Sequence, residues 1–220
     1  MLIKYQVTYL FRLFNKTQQK NYTKCINMIC YLSMDKVKDF FDKYSKYIDD
    51  SEHDFELVKK LLDELDIYKD DRVLDLGCGK GVITNLLTSY SPFVVGQDLS
   101  TNMIKRAREE KPDLTFKEED FYKSNEVFDY IVIFDAYPHF LDLPSFKESL
   151  YRCLSSKGRV AIVHDCSKEM LDLFHKGEVK AISRSLYDVK KESSFYLDLF
   201  DVVKANEDDS SYLIVLKKKD

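Results

Sequence analysis

The chain has 220 residues, of which 45% are hydrophobic and 33% charged, enough for one domain with a full core. Of its net charge of −4, the first 33 residues carry +5 (Lys4, Arg12, Lys16, Lys20, Lys24, with no acid), which leaves residues 34–220 at −9. That acidic balance disfavours nucleic acid as the main partner, five cysteines without framework spacing point to a reducing compartment such as the cytoplasm, and no apolar run approaches the roughly 18 residues of a membrane span.

Residues 1–33 interleave Leu2, Ile3, Val7, Leu10, Phe11, Leu13 and Phe14 with Lys4 and Arg12, so they lack a secretory core. A basic amphipathic arm could rest on an anionic surface. The charge balance changes abruptly at Met34, and the expectation is that 1–33 is an extension outside the working protein. From Val37 a helical pattern runs through Phe40, Phe41, Tyr44 and Tyr47. A second helix is expected over Phe55 to Leu65.

Strand-like and helix-like segments then alternate. Strands are expected at Val73–Leu76, Val94–Leu99, Leu114–Lys117, Phe128–Phe134 and Arg159–His164, with helices near 81–90, 101–110 and 144–154. Such alternation predicts an α/β fold with a doubly wound, mostly parallel sheet. Leu199–Val203 and Tyr212–Leu216 are too close for a crossover helix and should form a C-terminal antiparallel hairpin, giving seven strands.

The first strand meets an acid and three alternate glycines: Val73-Leu74-Asp75-Leu76-Gly77-Cys78-Gly79-Lys80-Gly81. A dinucleotide fingerprint would read G-x-G-x-x-G. Here the spacing is G-x-G-x-G, with Asp75 two residues before the first glycine. The second strand ends in Asp98, 21 residues after Gly77, where a carboxylate can accept both ribose hydroxyls. A third ends in Glu118-Glu119-Asp120-Phe121, and a fourth in Phe134-Asp135-Ala136-Tyr137-Pro138-His139.

These motifs resemble those of class I S-adenosylmethionine-dependent methyltransferases over roughly residues 70–220, and in particular the small single-domain, small-molecule branch. The resemblance implies a Rossmann-like methyltransferase fold over 34–220, with 34–68 as a helical lid carrying Tyr44 and Tyr47. It implies S-adenosylmethionine as cofactor, held by Asp75, Gly77, Cys78, Gly79, Gly81, Asp98, Leu99, Met103, Asp120, Phe121 and Asp135. In this reading Asp120 accepts from the adenine amino group and Phe121 covers the ring; Met103 either lines the pocket or is a core methionine. Enzymes that methylate exocyclic amino groups of DNA bases usually show Asp/Asn-Pro-Pro-Tyr where this chain has Asp-Ala-Tyr-Pro, so the acceptor is expected to be a small molecule methylated on oxygen or nitrogen.

His139, His164 and His175 follow the fourth and fifth strands and could converge on one rim, where a neutral imidazole can take a proton from an acceptor. His139, His164 and Tyr137 are the expected catalytic residues. With Asp165 and Cys166 the histidines offer metal-ligating chemistry, but no short ligand spacing fixes a site and none is expected. A nucleoside-binding module without turnover is the alternative from a different functional class, and a nicotinamide-dependent reductase a more distant one.

Overall fold

The computed structural model describes residues 34–48 and 53–220. Residues 37–220 form one compact unit; the basic segment 1–33, and with it the expected extension, lies outside the described residues. The chain is helical through residues 34–44 (α1). It continues through α2 (Phe55–Asp63), β1 (Val73–Leu76), α3 (Val82–Leu87), β2 (Val94–Asp98), α4 (Thr101–Glu110), β3 (Thr115–Glu118) and β4 (Phe128–Phe134). The order then runs α5 (Leu143–Cys153), β5 (Leu154–His164), α6 (Lys168–Phe174), α7 (Val189–Ser194), β6 (Phe200–Glu207) and β7 (Tyr212–Lys218).

The seven strands form one sheet in the order β3-β2-β1-β4-β5-β7-β6. All pairs from β3 to β5 are parallel, whereas β7 runs antiparallel to both β5 and β6. The expected parallel sheet with a C-terminal hairpin is therefore the observed one. The last strand, however, is the one inserted beside β5, and β6 takes the edge.

Because β1, β4 and β5 are covered on both faces, they read as continuous apolar runs rather than alternating ones. Leu74, Leu76, Ile131, Ile133, Val160 and Ile162 point to one side, where Phe146 and Leu150 of α5 and Val189 of α7 pack on them. Val73, Tyr130, Val132, Phe134, Ala161 and Val163 point to the other, against Val58, Leu61 and Leu62 of α2 and Ile83 and Leu87 of α3. Side-chain alternation along each strand thus divides one apolar run between two cores. Asp54 caps α2 by accepting from the Glu56 and Leu57 amides, and Ser100 caps α4 by accepting from Met103.

Three elements depart from the sequence expectation. β5 begins at Leu154, not Arg159, because the polar Ser155-Ser156-Lys157-Gly158 stretch stays in the strand after Leu154 pairs with Phe128. α6 and α7 occupy a segment for which no element was expected; their caps are Ser167 and Asp188.

The ring of Phe116 on β3 sets how closely the turn after β1 can approach β2. A Cβ added to Gly96 would stand 2.6 Å from Phe116 Cδ1 and 2.9 Å from Thr84 Oγ1. Gly96 lies in a strand with ordinary backbone angles, so the constraint is space alone. Gly96→Ala should therefore cost about 1–3 kcal/mol by overpacking, read as a drop of roughly 2–4 °C per kcal/mol in thermal unfolding. An unchanged melting temperature would contradict this packing.

Candidate active site

Parallel strands ending at one level place their following residues on a common rim, where ligands of such sheets bind. On this rim the β1–α3 turn is built from residues with left-handed backbone angles: φ is 80° at Gly77 and 51° at Gly79. A Cβ at Gly77 would collide with Ala136 Cβ, so this glycine is needed for packing against the β4 loop. Gly79 is different: a Cβ there would meet nothing within 4 Å. Its bare backbone faces open space, a cradle a ligand can use.

Asp98 closes the other side of that cradle. Its Oδ2 accepts from the Gly79 amide at 2.9 Å and its Oδ1 from the Ser100 amide at 2.8 Å, so one carboxylate ties the glycine turn to the end of β2. Burial raises its pKa despite these bonds, which leaves the charge poorly solvated and receptive to hydroxyl donors. Asp75 lies deeper. It is 1% exposed and accepts from Thr84 Oγ1 at 2.5 Å. Burial, with the charge of Asp98 adding, pushes its pKa up to about 7. Asp75 thus fixes α3 beneath the turn instead of facing the cradle.

Helix α1 crosses the same loop. Asp42 Oδ1 accepts from Ser100 Oγ at 2.6 Å and from the Asn102 amide at 2.9 Å, while Asn102 Nδ2 donates to the Asp42 carbonyl. Lys38 Nζ donates to the Leu99 carbonyl at 3.0 Å and lies 3.4 Å from Glu118. Arg106 donates to the Ser45 carbonyl and Lys80 to that of Ile48. Tyr44 donates to Glu178 Oε2 at 2.7 Å, and Tyr47 is exposed.

Several expected cofactor residues are committed elsewhere. Met103 is a core methionine of α4, 3% exposed, which decides between its two readings. Phe121 packs edge-on against Phe146 within the core, so its ring is not the one that covers a base. Cys78 packs with Ile104, Ala107 and Phe116, whereas Leu99 is partly exposed beside Asp98. Asp120 remains at the end of β3, accepting from the Tyr122 amide and paired with Lys123 at 3.0 Å.

Tyr137 must be removed from the catalytic set. It is fully buried, its hydroxyl donating to Glu192 Oε1 at 2.6 Å and sharing a 2.7 Å bond with Tyr196, with the Arg184 guanidinium 4.6 Å over its ring. Burial raises its pKa far above the usual phenol range. Neighbouring His139 does reach the rim. Its Nδ1 lies 3.0 Å from the Ile182 carbonyl, an acceptor only, so Nδ1 carries the proton and Nε2 keeps its lone pair. Phe41 of α1 and His175 meet the ring edge-on at 4.9 and 5.4 Å. Burial, reinforced by His175 and His164, lowers the His139 pKa to about 4, so the ring is neutral at physiological pH.

His164 does not join His139 and His175 at an open face. It is fully buried, its Nδ1 3.0 Å from Asp135 Oδ1 but out of hydrogen-bond alignment. Asp135 in turn belongs to a group with Asp165 and His53, the histidine that no sequence motif marked; His53 Nδ1 is 2.7 Å from Asp165 Oδ2 and 3.9 Å from Asp135 Oδ2. No spacing could have found it, since 112 residues separate His53 from Asp165.

With this geometry in view, the sequence pattern of a family described as a methyltransferase domain matches residues 67–213. The chain belongs to the class I S-adenosylmethionine-dependent methyltransferase family. Phosphoethanolamine N-methyltransferase 1 of Triticum aestivum is 31% identical over 179 residues, covering 75% of this chain and 35% of that protein. The chain therefore spans about a third of that relative's length. The PH0226 protein from Pyrococcus horikoshii OT3 superposes with a TM-score of 0.62 at 22% identity, covering 83% of this chain and 99% of its own. Magnesium protoporphyrin IX methyltransferase from Synechocystis PCC 6803, with bound S-adenosylhomocysteine, does so with 0.61 at 14%, covering 85% and 100%. These likenesses show the methyltransferase fold. Among the described residues no helix is long and apolar enough to cross a membrane.

Asp42 gives this site a pH signature. Burial alone would raise its pKa, but the Asn102 amide, the Ser100 hydroxyl and Lys38 together hold it below the ordinary carboxylate value. A depressed folded pKa contributes stability that is present above the unfolded value, about 4, and lost as pH falls through the folded one. Asp42→Asn should lower the melting temperature at pH 7 by roughly 2–4 °C, as for about 1 kcal/mol in a domain of this size. The gap should close below about pH 4; a gap independent of pH would exclude this origin.

Proposed function

We propose that this methyltransferase domain transfers a methyl group from S-adenosylmethionine to a nitrogen or oxygen of a small-molecule acceptor, with His139 orienting that acceptor. The residues present fit the nucleoside. Gly79 offers bare backbone, Asp98 presents a poorly solvated carboxylate beside it, and Asp120 stands at the next strand end as an acceptor for an amino group. The sulfonium supplies an electrophilic methyl carbon, so the protein needs to align an acceptor, exclude water and receive a hydrogen bond from the attacking group.

One observation carries this reading: the Nδ1–H of His139 is spent on Ile182, which leaves Nε2 as a fixed acceptor on a ring walled by Phe41. Its low pKa makes it a hydrogen-bond acceptor that positions an N–H or O–H group, and a weak store for a proton. In this reading residues 34–68 act as the lid: α1 carries Phe41 to His139 and is fastened by Asp42 to the loop after Asp98. The phosphoethanolamine N-methyltransferases among the relatives fall within the proposed acceptor class, and the net charge of −9 over residues 34–220 favours a small acceptor over nucleic acid.

The test combines calorimetric binding of S-adenosylmethionine with turnover on a panel of small amines and hydroxyl compounds. Asp98→Ala should weaken donor binding at least about tenfold, through loss of charged hydrogen bonds. His139→Ala should leave donor affinity within about twofold and lower kcat by roughly 100-fold. Absence of donor binding would overturn the assignment; binding without turnover on any acceptor would instead support a nucleoside-binding module.

A further inference from the structure

His53, Asp135, Asp165 and His164 do not take part in the methyl transfer just described, yet they gather at the ends of β4 and β5 and the segment before α2. The ligand atoms of His53, Asp135 and Asp165 lie within 4.8 Å of one another. Two donors each about 2.0–2.2 Å from one ion stand about 3–4 Å apart for coordination angles between square and wide. The separation of 3.9 Å from His53 Nδ1 to Asp135 Oδ2 falls in that range, and the 2.7 Å hydrogen bond from His53 Nδ1 to Asp165 Oδ2 is a few tenths of an ångström shorter.

A second observation is independent of that clustering. His164 is fully buried, and among the described residues neither of its ring nitrogens has an aligned hydrogen-bond partner; nor does Asp135 Oδ1. The His164 Nδ1 lies 3.0 Å from Asp135 Oδ1. Asp135 itself holds φ at 52°, an unfavourable backbone angle for a residue other than glycine.

We propose that His53, Asp135 and Asp165, with the buried His164 beside Asp135, form a binding site for one first-row divalent transition-metal ion of the Zn²⁺ type. One imidazole and two carboxylates are a donor set such ions take, with a position left for water or another ligand.

The experiment is a titration of the chelator-stripped full chain with Co²⁺, followed by visible absorption, with Zn²⁺ as competitor. One saturable site per chain, displaced by Zn²⁺, is expected, together with a metal-dependent rise in melting temperature. His53→Ala and Asp165→Asn should each weaken Co²⁺ binding at least tenfold, whereas His175→Ala, outside the cluster, should leave it unchanged. No saturable absorption with the unaltered chain, or equal affinity in His53→Ala and Asp165→Asn, would overturn the site and leave a proton-sharing His–Asp–Asp cluster. The unaltered chain decides the matter even if a variant fails to fold.

Discussion

Everything on the rim depends on a single carboxylate accepting two backbone amides. Asp98 binds the Gly79 and Ser100 N–H groups at once, and thereby holds the turn after β1 against the end of β2. Without it the glycine turn would be a flexible connection, since glycine gives up more conformational freedom than any other residue. The same loop then receives α1 through Ser100 and Asn102, so cradle and cover share an anchor. Burial makes this arrangement costly to charge, and that cost is what turns a structural tie into a ligand-seeking group.

Much of this was legible in the sequence because apolar runs buried on both faces announce parallel strands, and glycine spacing announces a turn. Val73–Leu76 and Phe128–Phe134 were expected with their observed bounds for that reason. What failed were inferences from adjacency. Tyr137 stands two residues from His139 in sequence, but a buried hydroxyl needs a partner, and Glu192 and Tyr196 supply it from the opposite side. Phe121 packs inward against Phe146, whereas Met103 takes the core position that was one of its two readings. His53 gave no signal at all, since a lone histidine before a helix acquires meaning only when folding brings Asp165 to it. The polar start of β5 and the short helix α7 were illegible for a related reason: their pairing and packing are tertiary, and local composition argues for loops.

The rim is electrostatically divided. On one side, burial keeps His139 neutral, and its orientation is set by a carbonyl. On the other, Asp135 and Asp165 compete for positive charge close to Cys166, whose thiol burial pushes up to about 12, so that sulfur is inert at neutral pH. A neutral half thus lies beside an acidic half, a division made by two adjacent strand ends.

The placement of β7 between β5 and β6 has a bearing on how the molecule is made. During synthesis the strands emerge in sequence order, and β5 has one edge matched by β4 while its other edge waits for Tyr212–Lys218. A buried, hydrophobic strand edge is then open to any passing extended chain until almost all of the domain has left the ribosome. The largely exposed strand β6, which takes the edge of the finished sheet, arrives just before the strand that completes it. Sheet closure and protection from aggregation are therefore late, nearly simultaneous events in the life of the nascent chain.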